Sequence, residues 1–251
     1  MENVVEKIYG ENVNRKLLNN NLRRRGTISM IERIRKANSE NRIAVISEFK
    51  RRSPSGFMNT ENTDLQGYAR NIQDRGSDGI SVLTEPNYFG GSYEDITLIS
   101  DVDIPILGKD FISRKEMIRS SFFAGSDMVL LIADFLDPGL LKDLYDYSVS
   151  LGMEVLLEFH GLENMEKIRM MRKMDGIAIG YNRRDLRTMQ VEEGCSFVPD
   201  GSFEVPVVLE SGITRENFTH LPVGKFDALL IGSSILQNSF DLGTVRNISD
   251  A

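Results

Sequence analysis

The chain has 251 residues, 41% hydrophobic and 27% charged, with a formal net charge of −7. That is the range of a soluble globular protein with enough chain to bury a sizeable core. The acidic balance argues against nucleic acid as a partner, the central apolar run Met128–Ala133 is far too short to span a membrane, and a lone cysteine, Cys195, excludes an internal disulfide.

In chain order, the opening MENVVEKIYGEN has no apolar stretch of the secretory kind, and the single thiol is compatible with a reducing compartment, so a cytoplasmic protein is expected. Residues 1–42 hold ten Lys/Arg against five Asp/Glu, whereas the remainder holds twenty against thirty-two. Arg23-Arg24-Arg25 lacks the interleaved aromatics of a polyanion site and reads as part of a solvated, partly helical extension.

Eight short apolar runs follow: 43–48, 79–84, 104–107, 128–133, 154–159, 176–180, 205–209 and 228–231. Each is rich in Val, Ile and Leu without strict alternation, as in strands buried on both faces of a parallel sheet. The segments between them have helical spacing: Leu65–Arg75, Arg114–Phe123, Pro138–Leu151 and Leu162–Met174. Asp64, Ser113 and Thr214 stand where N-caps belong, and Gly76, Gly125, Gly152 and Gly224 where helices end. The irregular stretch from Gln190 to Glu204 predicts a short helix between runs six and seven. The pattern predicts one domain, 1–251, folded as an α/β (β/α)8 TIM barrel, with 1–42 as an N-terminal helical extension and 43–236 as the barrel. An open doubly wound sheet is the alternative, but no G-x-G-x-x-G follows the first strand.

Barrel chemistry gathers at the C-terminal ends of strands. Run one ends in Glu48 and Lys50, which share a side because strand side chains repeat every second residue. Run three ends in Lys109-Asp110-Phe111, run five in Glu158, run six in Asn182-Arg183-Arg184 and run seven in Glu210-Ser211-Gly212. Any one polar strand end is expected simply because the chain must reach solvent. Two lysines and three glutamates converging on one mouth suit proton transfer, since burial and neighbours can draw their pKa values together. Ser211-Gly212 and Gly232-Ser233-Ser234 follow runs seven and eight, where barrels commonly bind phosphate through backbone N–H groups. Arg184 and the Arg51-Arg52-Ser53 loop could add donors. His160 and His220 are too few and too far apart for a metal site, and His160 reads as a surface or hydrogen-bonding histidine. Cys195 falls in a loop and reads as no nucleophile.

The segments SEFKRRSPSG, SVLTEPNYFGGS, ILGKDFI, MVLLIA, GMEVLLEFH, IGYNRRDL, LESGI and LIGSS resemble, in order and spacing, the indole-3-glycerol phosphate synthase family of tryptophan biosynthesis. The resemblance covers residues 43–236. It implies a carboxy-lyase that converts 1-(2-carboxyphenylamino)-1-deoxyribulose 5-phosphate to indole-3-glycerol phosphate, with loss of CO2 and water. It implies no metal, no organic cofactor and no partner beyond the phosphorylated small molecule; a monomer is expected. By position, Lys109 corresponds to the acid on the substrate carbonyl, and Lys50 pairs with the carboxylate region and can donate in the dehydration. Glu158 and Glu48 correspond to proton acceptors or to partners that keep the lysines charged, and Asn182 and Glu210 to orienting groups. Ser53, Arg184, Ser211, Gly212, Gly232 and Ser233 fall in or near the substrate and phosphate contacts, and Phe89, Phe111, Leu130 and Ile132 in the aromatic pocket. Which lysine serves which step stays open.

The chain departs from the family pattern at Gly108 and Tyr181, which puts pocket shape in question. A phosphosugar isomerase of the same fold and a non-catalytic phosphate-binding barrel are the alternatives. The former would call for a Cys/Asp pair at strand ends, and the latter would not need both lysines and Glu158.

Overall fold

Eight segments rich in branched aliphatic residues pair in parallel and in sequence order, and the first closes on the last: β1 (Ala44–Phe49), β2 (Gly79–Leu83), β3 (Ile106–Lys109), β4 (Met128–Ile132), β5 (Glu154–Phe159), β6 (Ile177–Asn182), β7 (Val207–Glu210) and β8 (Ala228–Ile231). This is the (β/α)8 barrel expected from the sequence. The computed structural model describes residues 3–18, 22–23, 25–171 and 174–246. β3 and β7 begin two residues later than their apolar runs, just beyond Pro105 and Pro206, which have no N–H to give a ladder.

Among the described residues the α-helices are α1 (Val4–Glu11), α2 (Met30–Ser39), α3 (Leu65–Asp74), α4 (Tyr93–Leu98), α5 (Lys115–Ala124), α6 (Pro138–Ser150), α7 (Met165–Met171), α8 (Ser233–Leu236) and α9 (Gly243–Arg246). Asp64 caps α3 as expected, its side chain accepting from Gln66 N–H. Ser113 does not cap α5; Arg114 holds that position without a side-chain bond. Thr214 accepts from Asn217 N–H, but a turn follows rather than a helix. Gly76, Gly125 and Gly152 have positive φ, whereas Gly224 sits inside a 3₁₀ turn, Val223–Lys225. The segment expected as a helix from Leu162 to Met174 starts as a 3₁₀ turn and becomes α7, with residues 172–173 outside the described residues. No helix joins β6 to β7 among the described residues; only the isolated bridge Arg184–Val191 orders that loop.

Strand parity divides the core into two. Val45, Val82, Val129, Leu157, Ile179 and Leu229 face outward onto the helices, while Ala44, Ile46, Leu107, Leu130, Leu156, Val208 and Leu230 fill the barrel. α2 closes the bottom with Met30, Ile31, Ile34 and Ala37. Its first turn is seated on Glu154, whose carboxylate accepts the N–H groups of Met30 (2.8 Å) and Ile31 (3.1 Å). Between α1 and α2 the chain is clamped at the buried Asp127, which takes Arg23 at 2.7 Å, Arg25 at 3.2 Å and the N–H groups of Ile28 and Ile106. Arg23 and Arg25 are therefore buried clamps rather than a solvated face; Arg24 lies outside the described residues. α1 covers one side of the mouth. Its Tyr9 ring stacks on Phe135, and Arg15, just beyond it, donates to Asp110 at 2.6 Å.

Candidate active site

The inward parity that fills the barrel with aliphatic side chains places Glu48, Lys109, Glu158, Asn182 and Glu210 at its upper end, each on a different strand. With Lys50 they line a cavity of about 230 Å³ whose aromatic and aliphatic wall includes Phe89, Phe111, Leu130 and Ile132. Ser53, Arg184, Ser211, Gly212, Gly232 and Ser233 line the same cavity. All sixteen of these residues thus border one cavity. Leu83, Leu186, Met189, Ile213 and Leu230 also line it and were not singled out, because isolated aliphatic residues in loops and strands carry no chemical signature.

Lys109 Nζ donates to Glu158 Oε2 and to Glu210 Oε2, both at 2.8 Å. Burial works against its charge, but Glu158, Glu210 and Glu48 outweigh it and hold the ammonium's pKa well above the ordinary lysine value. Asn182 Nδ2 donates to Glu158 Oε1 at 2.9 Å, and Asn182 Oδ1 accepts from Arg184 N–H, which fixes the amide's orientation. Burial pushes Glu210 up to about 8, against the pull of Lys109 and helped by Glu158. Its Oε1 is buried without a hydrogen-bond partner and lies over Gly180, where any side chain would collide with it. A second ionised carboxylate beside Glu158, away from water, is costly, so burial and Glu158 both favour the protonated form of Glu210.

Across the mouth, Lys50 Nζ bonds Glu48 Oε1 at 2.5 Å. Burial alone would raise the Glu48 pKa, but Lys50 and Lys109 bring it below the usual value, so Glu48 is a carboxylate. Gly232 lies against this pair, and a Cβ there would overlap the Glu48 carboxylate. The aromatic wall is held from behind. The Glu85 carboxylate accepts the N–H groups of Asn87 (2.9 Å), Tyr88 (2.6 Å) and Phe89 (3.0 Å), setting Phe89 against Phe111 with ring centroids 5.7 Å apart. Glu85 directly follows the second apolar run, and nothing in the sequence marks it as the brace of Phe89.

Some expectations change. Arg51 is bound to both oxygens of Asp95, and Arg52 donates to the carbonyls of Pro86 and Asn87. Those two arginines lock loops together, which leaves Arg184 as the guanidinium lining the cavity. Gly108 faces outward against Ser121 and Ser126, and Tyr181 packs outward on Phe159 and Phe197, so neither shapes the pocket. His160 Nδ1 lies 2.8 Å from the Asn182 carbonyl oxygen. Cys195 is half-buried, bonds Phe197 O, and has its pKa pushed up to about 11 by burial. No group of three or more His, Cys, Asp or Glu able to hold a metal occurs among the described residues.

Fold and site together define a (β/α)8-barrel enzyme in which lysines and carboxylates face an aromatic wall and a rim of small residues. Residues 2–247 match the family model described as indole-3-glycerol phosphate synthase. Relatives bearing that name are 45% identical in Picrophilus torridus, over 94% of this chain and 92% of the relative, and 42% identical in Thermoplasma volcanium, over 86% of each. The tryptophan synthase subunit alpha of Legionella pneumophila str. Paris superposes with a TM-score of 0.56 at 11% identity, over 84% of this chain and 88% of that one, a likeness of fold alone. The chain belongs to the indole-3-glycerol phosphate synthase family, which sets aside the isomerase and the non-catalytic barrel.

Proposed function

We propose that this cavity closes the pyrrole ring of indole-3-glycerol phosphate, starting from 1-(2-carboxyphenylamino)-1-deoxyribulose 5-phosphate. The aryl carbon bearing the carboxylate attacks the ketose carbonyl, and Lys109 gives a proton to the oxygen as it becomes an alkoxide. CO2 then leaves and restores the aromatic ring. The new hydroxyl departs as water after taking a proton from an acid, a task for Lys50 or Lys109, while a carboxylate, Glu158 or Glu48, accepts the proton that the neighbouring ring CH2 loses as the C=C double bond forms. Glu158 and Glu48 hold the two ammonium groups charged until the substrate asks for their protons. Asn182 orients Glu158, and Glu210, whose pKa burial raises, orients Lys109.

The observation that carries this reading is the Lys109 ammonium, held at 2.8 Å by both Glu158 and Glu210 in the cavity that Phe89 and Phe111 also line. Phe89, Phe111, Leu130 and Ile132 form a slot for the anthranilate ring. Ser53, Arg184, Ser211, Gly212, Gly232 and Ser233 are the lining residues this reading gives to the phosphate. The acidic chain has no need of nucleic acid or membrane for this chemistry, and a cytoplasmic monomer is part of the same reading.

The test is direct. Purified protein given the carboxyphenylamino-deoxyribulose phosphate produces indole fluorescence, read against a low background because the chain has no tryptophan. Lys109→Ala abolishes the signal. A folded wild-type protein that yields no indole product refutes the proposal.

A further inference from the structure

Arg183 and Arg184 are neighbours at the end of β6, yet only Arg184 lines the cavity. The Arg183 side chain turns the other way and is 1% exposed. It makes no bond to a carboxylate among the described residues. Its guanidinium donates to five main-chain carbonyls: Nε to Gly194 (2.8 Å), Nη2 to Glu192 (2.6 Å) and Glu193 (3.3 Å), and Nη1 to Ser211 (3.3 Å) and Gly212 (3.2 Å). Five donors meet five acceptors, which matches the full donor set of an arginine.

The last two acceptors belong to the rim. Ser211 and Gly212 are both left-handed, with φ of 70° and 65°. That conformation is unfavourable for a serine unless its surroundings hold it. In a trans peptide the C=O and N–H point in opposite directions. Carbonyls of Ser211 and Gly212 drawn back onto Arg183 therefore turn the N–H groups of Gly212 and Ile213 away from it. Neither N–H has a hydrogen-bond acceptor among the described residues, and both residues line the cavity. Asn217 Nδ2 adds a second donor to the Gly212 carbonyl at 2.7 Å.

We propose that Arg183 is a positioning residue for phosphate: its buried guanidinium fixes the Ser211 and Gly212 peptides so that two N–H groups face the phosphoryl oxygens. This rests on reading the β7 loop as the phosphate end of the substrate site. The bonds run from the protein interior, so Arg183 itself never touches the ligand.

The test is steady-state kinetics of Arg183→Met with inorganic phosphate as competitor. KM and the phosphate inhibition constant rise together by about tenfold, while kcat stays within about threefold, because binding is lost and the Lys109 chemistry is not. A fall in kcat with both constants unmoved, or no change in any of the three, overturns the proposal. If Arg183→Met does not fold, Asn217→Ala removes the other donor to Gly212, and its phosphate inhibition constant rises about threefold; an unchanged constant overturns the proposal. Protection of wild type against thermal unfolding by inorganic phosphate separates the two readings. Wild type that makes no indole product but is protected, with protection weakened in the variant, fails the enzymatic reading alone. Wild type that phosphate does not protect fails the inference.

Discussion

Replacing Glu210 by glutamine tests the proton inventory of the mouth. Lys109 lies between Glu158 and Glu210, and burial raises Glu210 from the ordinary 4.5 to about 8. Between those two values the folded protein keeps a proton that the unfolded chain releases, so this group's contribution to stability declines as pH rises. At about 1.4 kcal/mol per pKa unit, the decline is on the order of 4 kcal/mol from pH 4.5 to pH 8. It is an upper figure, because Lys109 and Glu158 can rearrange around the new charge. Glutamine keeps the shape and the acceptor for Lys109 but has no such proton to lose. The assay is denaturant unfolding of both proteins at several pH values in this window, extrapolated linearly to water. Wild type loses stability relative to Glu210→Gln by a few kcal/mol as pH increases. Curves that stay parallel refute the proton assignment.

Asp127→Ala leaves Arg23 and Arg25 without their buried carboxylate, and a loss of about 3–5 kcal/mol is expected in unfolding measurements. Turnover measured below the lowered melting temperature stays near wild type, since Asp127 is remote from the mouth. Gly108→Ala drives a methyl group into the Ser121 and Ser126 hydroxyls and costs about 1–3 kcal/mol of stability. KM is unchanged in that variant because the position faces the helices; an altered KM would show that β3 transmits the strain to Lys109. Glu85→Ala frees the turn that sets Phe89 and raises KM more than it lowers kcat, read from the same fluorescence assay.

The barrel was legible in the sequence because its causes are local. Strands buried on both faces demand unbroken branched aliphatic runs, and the helices between them show their own spacing. Glu48, Lys109, Glu158, Asn182 and Glu210 were legible as mouth residues for a related reason: strand parity and barrel closure leave the end of each strand few directions to face. Caps and turns were less legible. Ser113 and Thr214 have the right chemistry, yet one lies a residue too early and the other precedes a turn, as the packing around them dictates.

What only the tertiary structure decided is where each charge finds its partner. The Lys109–Glu210 bond joins residues 101 positions apart, and the Arg23–Asp127 bond 104 apart. In sequence, Arg23, Arg51, Arg183 and Arg184 are equivalent cations near loops. In the fold, one clamps the barrel's bottom, one ties two loops, one braces the rim from inside and one lines the cavity. An arginine reaches far and satisfies whichever acceptors closure brings within range, so its role is set by the closed barrel rather than by its neighbours in the chain.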